Sequence, residues 1–163
     1  MLKNFEVIYF PYDTTLRKSI TEYALQLKSF INNLNLTRKE KVSIFSLSAG
    51  GIIASYYTKF LDKKRVNKLV TVCSPFGGSW IRIFFRKRRG AQELGPNSIL
   101  LKRLANKKNK FIKEFNLWCF LDPLVPGTSG KGDNSKHTLF FLHWVIQFWP
   151  PIILRAKDFL EED

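Results

Sequence analysis

The chain has few cysteines, histidines and acidic residues. Its two cysteines, Cys73 and Cys119, both lie in apolar runs without metal-ligand neighbours. That pattern excludes a disulfide framework or a zinc site as the organising device, and both thiols read as small buried hydrophobes. Histidine occurs only at His137 and His143, so an imidazole base would have two candidates. The longest apolar stretch, Leu139 to Leu154, is broken by His143, Gln147 and the pair Pro150-Pro151. It falls short of the ~20 residues of a spanning helix, so no transmembrane segment is expected. Met1 to Phe10 lacks the cationic start, apolar middle and small-residue cleavage site of a signal peptide. The expected location is therefore cytoplasmic, with peripheral membrane attachment as an option left open by the charge. Thirteen Asp and Glu face 27 Lys and Arg, a net charge of +14. Such an excess predicts attraction to anionic surfaces, whether phosphate backbones or lipid headgroups.

What is present suffices for one domain. The 163 residues are 45% hydrophobic, enough to build a core and too apolar for a disordered tail. No repeat or low-complexity tract interrupts them.

Phe5 to Phe10 is short, β-rich and stopped by Pro11, which predicts a buried parallel strand. Ser19-x-x-Glu22 has the spacing of a capping box, and Ile20, Tyr23, Ala24, Leu27, Phe30, Ile31 and Leu34 follow at helical spacing. Val42 to Phe45 predicts a second strand, turning through Ala49-Gly50-Gly51 into a helix over Ile52 to Leu61. Val66 to Cys73 predicts a third strand, ended by Ser74-Pro75 and Gly77-Gly78, after which an irregular segment begins. Phe115 to Leu121 and His137 to Leu142 predict two more strands, and Ile152 to Leu160 a closing helix. Short buried strands alternating with helices predict an α/β sandwich with a mainly parallel sheet.

Ser46-Leu47-Ser48-Ala49-Gly50 falls at a strand-to-helix junction. A tight elbow there would lift Ser48 above the sheet, with small neighbours avoiding collision. It would also aim the Ala49 N–H and the start of a helix at whatever Ser48 attacks, which is half of an oxyanion hole. The competing reading is a serine serving only as a helix N-cap. Asp122-Pro123 follows a predicted strand; it reads either as a carboxylate that orients a histidine or as an Asx-Pro turn without chemistry. His137, at the entry of the last predicted strand, would stand at the far end of the sheet from Ser48, because active groups in open α/β sheets gather at the strands' carboxyl ends. For His143 the competing reading is a partly buried polar residue between Leu142 and Trp144.

The run around Ser48 resembles the nucleophile elbow of the α/β-hydrolases, G-x-S-x-G with Ser46 in place of the first glycine. Gly51 and Tyr56-Tyr57 extend the likeness to triacylglycerol-lipase-like members. Val66 to Ser79 resembles the strand and turn after the elbow helix, with Phe76 where a histidine outside the triad usually stands. Asp122-Pro123-Leu124-Val125-Pro126 resembles the family's acid turn. Trp144 to Trp149, Pro150 and Phe159-Leu160 resemble the segment that follows its histidine. The resemblance runs from about Phe5 to Leu160 and implies a catalytic triad of Ser48, Asp122 and His143, with the Ala49 N–H as oxyanion donor and no metal or organic cofactor. It also implies that the strand and oxyanion loop preceding Phe5 are missing, so the fold is expected to be an N-terminally truncated or minimal α/β-hydrolase, and a partner chain could supply the strand.

Residues 1–163 thus read as one domain carrying a basic insertion at about 76–110, where lipase-like hydrolases carry a lid or cap. Trp80, Phe84 and Phe85 stand there beside Arg86, Lys87, Arg88 and Arg89, a composition suited to an anionic membrane surface. A solvated loop is the plainer reading. The functional expectation is a serine hydrolase of carboxylic esters, lipid esters at a membrane surface foremost, with an acyltransferase indistinguishable by sequence. The alternative is an inert or incomplete hydrolase-like module that binds anionic membranes or a partner chain. Nucleic-acid binding is the weakest reading, because no nucleic-acid module is recognisable.

Overall fold

The computed structural model describes residues 6–109, 112–119, 122, 124–125, 135–138 and 150–162. Helix α1, Ile20–Asn32, starts at the predicted capping box. Ser19 Oγ accepts the Glu22 N–H at 3.2 Å while Glu22 Oε2 accepts the Ser19 N–H at 2.9 Å. These bonds to Ser19 hold the Glu22 carboxyl below its usual range. The helix buries Ile20, Tyr23, Ala24, Leu27 and Ile31, the stripe its spacing predicts.

Strands β1 (Val42–Leu47), β2 (Val66–Val72), β3 (Lys113–Cys119) and β4 (Ser135–Thr138) form one sheet in that order, each pair parallel. Helix α2 (Ala49–Tyr56) crosses from β1 to β2, its last turn widening into a π-helical stretch, Tyr57–Leu61. Helices α1 and α2 cover one face of the sheet around Tyr23, Ile52, Ile53, Tyr57 and Leu69. The closing helix α6, Pro150–Glu161, covers the other, with Ile152 and Ala156 against Val70, Val72, Phe115 and Leu117. β2 is buried at every position but Asn67, as a strand covered on both faces should be.

Lys68 is buried within β2, and its ammonium donates to the carbonyls of Phe159 at 2.9 Å, of Leu160 at 3.2 Å and of Glu162. It thus ties the C-terminal end of α6, where unpaired carbonyls carry partial negative charge, to the middle of the sheet.

Three expectations need correction. Residues 6–10 are irregular and not a strand: Val7, Ile8 and Tyr9 are exposed, Tyr9 by 86%. The reason is aromatic packing, since Phe10 lies on Tyr12 and on Phe30 of α1, with ring centroids 5.8 and 5.3 Å apart. That draws the segment onto the helix and away from the sheet, and β1 is an edge strand among the described residues. The segment after β2 is not wholly irregular either, but contains three short helices, α3 (Ile81–Phe84), α4 (Arg89–Glu93) and α5 (Ile99–Asn106). β4 starts two residues before His137, which therefore lies within the strand, in register with Trp118.

Candidate functional site

Ser48 lies between β1 and α2 with φ +48° and ψ −126°, a region that residues with a Cβ rarely enter and that costs roughly 1–3 kcal/mol. Hydrogen bonds on both sides hold it there: the Ser48 N–H donates to Val72 O at 2.9 Å, and the Gly51 N–H donates to Ser48 O at 3.0 Å. Its side chain makes no capping bond to α2 and is only partly buried. The N-cap reading of Ser48 therefore fails. What remains is a strained serine lifted off the end of a parallel strand at the start of a helix.

The neighbours explain how the elbow closes. Ser46 donates its hydroxyl to Val70 O at 3.1 Å, so serine in place of glycine is satisfied within the sheet. Its Cβ is 3.8 Å from where a Cβ on Gly50 would stand, an ordinary contact. Gly51 is the tighter position, because a Cβ there would come within 1.9 Å of Ser74 Oγ and 3.1 Å of Thr71 Cβ. Ser74 Oγ is buried and has no hydrogen-bond partner among the described residues. Directly before it, at the end of β2, Cys73 also has positive φ, +47°, and its thiol is buried. Two adjacent parallel strands thus end in strained, non-glycine residues.

Asp122 follows β3 by three residues and is 4% exposed. Its Oδ1 accepts the N–H groups of Leu124 at 2.9 Å and Val125 at 3.0 Å. This is the geometry of an Asx turn, and it also fixes the direction of the carboxylate. Register puts Leu47, Val72 and Leu117 in one row across β1, β2 and β3. Ser48 and Asp122 therefore both follow the carboxyl ends of their strands, on either side of β2, Ser48 one residue past this row and Asp122 five. His143, the expected base, lies outside the described residues, as do Trp144 and Trp149.

The acid turn is joined to the basic insertion. Leu124 O accepts the Ser79 hydroxyl at 2.6 Å and the Trp80 N–H at 3.3 Å. Of the insertion residues singled out in the sequence, Trp80, Phe84, Arg86, Lys87 and Arg89 are exposed. Phe85 and Arg88 turn inward: the Arg88 guanidinium lies 4.4 Å from the Phe85 ring centroid and donates to Thr15 O at 2.8 Å.

Two contributors had no signal in the sequence. Tyr12 brings its hydroxyl to 3.4 Å from the position a Gly50 Cβ would occupy, beside the start of α2, and burial, then Tyr23, raises its pKa. Ser79 clamps the acid turn. Both act across long separations in the chain; Ser79 closes the run Val66 to Ser79, yet nothing in that run pointed to its bond with Leu124.

A cleft of about 400 Å³ lies elsewhere, between Thr21, Tyr56, Glu93, Ile99 and Arg103. Tyr56 ends α2, about 12 Å along the helix from Ser48, so this cleft is not the space above the serine. Among the described residues no three His, Cys, Asp or Glu side chains converge as a metal site would require, and no helix is long and apolar enough to cross a membrane.

Neither a protein-family model nor a curated protein matches the sequence. Solved structures do resemble the fold. A lipase of Bacillus licheniformis, BlEst2 in its mature form, superposes with a TM-score of 0.69 over 86% of this chain and 75% of its own, at 15% identity. A monoacylglycerol lipase of Paleococcus ferrophilus gives 0.58 over 87% and 76%, at 14% identity. An α/β hydrolase from a lagoon-sediment metagenome gives 0.59 over 88% and 70%, at 18% identity. The parallel sheet, its flanking helices and this likeness make the fold that of the α/β-hydrolases.

Proposed function

We propose that this chain, with its α/β-hydrolase fold, is a serine hydrolase of carboxylic esters, with lipid esters as the substrate class. The observation that carries the reading is Ser48, held at φ +48° without using its hydroxyl as a cap. Strain of this kind persists where the surroundings over-determine it and clusters at reacting groups. In the proposed reaction Ser48 Oγ attacks the ester carbonyl carbon while His143 accepts its proton. The tetrahedral intermediate collapses, the ester C–O bond breaks, and His143 returns the proton to the leaving alcohol. Water then repeats the sequence on the acyl-enzyme and releases the acid. Asp122, fixed by the Leu124 and Val125 amides, orients His143, and the Ala49 N–H stabilises the oxyanion. Lipid esters are favoured among substrates by the exposed apolar residues next to the acid turn and by the lipases among the structural relatives.

The test is hydrolysis of a graded series of p-nitrophenyl and glycerol esters. Ser48→Ala and His143→Ala should each lower kcat/KM by about 10⁴-fold or more. Hydrolysis that survives Ser48→Ala would overturn the assignment.

One observation favours a second reading. β1 is an edge strand among the described residues, and Phe45 on it is exposed. A catalytically silent module that pairs this edge with a strand from a partner chain would use the same features, and it predicts no turnover from the isolated chain and ladder pairing in the complex.

A further inference from the structure

The insertion sorts its residues in a way that neither packing nor solvation explains. Each of α4, α5 and α6 buries two residues, whereas α3 buries none. Its Ile83 and Phe84 are 53% and 73% exposed, and Trp80 before it 45%. The turn is nevertheless held firmly. Ser79 Oγ, anchored on Leu124 O, accepts the Ile81 N–H at 3.1 Å, and Gln92 Nε2 donates to Arg82 O at 3.1 Å. The Arg82 side chain lies along Gly95, where a Cβ would come within 2.6 Å of its Cδ. The fold thus holds an apolar wedge in place with much of its surface open to solvent.

The surrounding charge is of one sign. Residues 76–110 contain ten Lys and Arg and a single acid, Glu93, which accepts the Ile20 N–H instead of facing the wedge. Arg88 is turned inward on Phe85, and Arg89 acts on Glu22 and Glu93. Arg82, Arg86 and Lys87 remain exposed beside the wedge and form no salt bridge among the described residues.

We propose that this face is a docking surface for an anionic lipid bilayer: Trp80, Ile83 and Phe84 enter the acyl boundary while Arg82, Arg86 and Lys87 meet lipid phosphates. An aliphatic and aromatic wedge ringed by cations matches the layered chemistry of a membrane surface, apolar below and anionic above. A single-stranded nucleic acid would use the rings and the charge but leave Ile83 without a role. The inference rests on the ester-hydrolase reading for its purpose, since Leu124 joins this face to the acid turn and docking would bring a lipid ester to Ser48.

The experiment is sedimentation of the full chain with phosphatidylcholine vesicles, with and without phosphatidylserine, beside a single-stranded oligonucleotide and inorganic phosphate as competitors. Wild type should bind the phosphatidylserine vesicles and leave pure phosphatidylcholine in solution. Ile83→Ser with Phe84→Ser, and separately Arg86→Glu with Lys87→Glu, should each weaken binding about tenfold or more with unchanged melting. Ser48→Ala should bind like wild type, so failure of the hydrolase reading leaves this result intact, and failure of docking leaves hydrolysis of soluble esters intact. The proposal is overturned by absence of vesicle binding, by binding indifferent to the Ile83 and Phe84 changes, or by displacement with the oligonucleotide or phosphate.

Discussion

Gly51 shows how far a residue's role departs from its place in a motif. In the elbow pattern Gly50 is the matching glycine, yet the close approach belongs to Gly51, against Ser74 and Thr71. Gly51→Ala should therefore destabilise the protein by about 1–3 kcal/mol, the range for forced overpacking, while Gly50→Ala should be tolerated. Thermal melts of the two variants check this, and equal costs would contradict it. The sharp strand-to-helix turn at Ser48 was legible in the sequence because it is local, five residues with the right sizes. Gly51's constraint was not, because its collision partner arrives from the end of the next strand. Glu93 adds a dependence on pH. Burial raises its carboxyl pKa, opposed by the Ile20 N–H it accepts. A raised carboxyl pKa stabilises the fold at pH below the unfolded value, and that contribution is lost as pH rises through the folded one. Glu93→Gln, which keeps an acceptor for Ile20, should flatten the stability profile across that window; an unaltered profile in a denaturant titration at several pH values would refute the assignment.

Among the elements, those with strong local signals were readable. The capping box fixed the start of α1, and β2 followed from a run of apolar residues ended by Ser74-Pro75. Phe5 to Phe10 misled because apolar, β-rich composition does not say whether a sheet edge or a helix surface receives it. Its rings found Tyr12 and Phe30. The insertion's three helices are four, five and eight residues long, too short for periodicity to register. Nothing local in the sequence marked Lys68 for burial, and only the arrival of α6 explains it. Lys68→Met keeps the apolar stem but removes the donor to three carbonyls. We expect it to cost about 1–3 kcal/mol and to speed amide exchange in the last turn of α6 over the rest of the helix. Uniform exchange along α6 would show that the ammonium does not anchor that end.

On the scale of the molecule, the parallel sheet does the positioning. Strand order and register bring Ser48 and Asp122 to one edge, with β2 between them, although 73 residues of sequence lie between them. Chain order and the junctions after strands made this arrangement readable. The clamp from Ser79 and Trp80 to Leu124, which ties the charged insertion to the same edge, depends on tertiary contact and left no pattern. On the proposed function Ser48 is an activated nucleophile and not a structural turn residue. The most direct measurement is labelling of the folded chain with a fluorophosphonate probe, read by intact mass and peptide mapping. A single adduct on Ser48, lost in Ser48→Ala and His143→Ala, is the expected result; a folded wild type that stays unlabelled, or labels at another serine, would show that Ser48 is not the nucleophile.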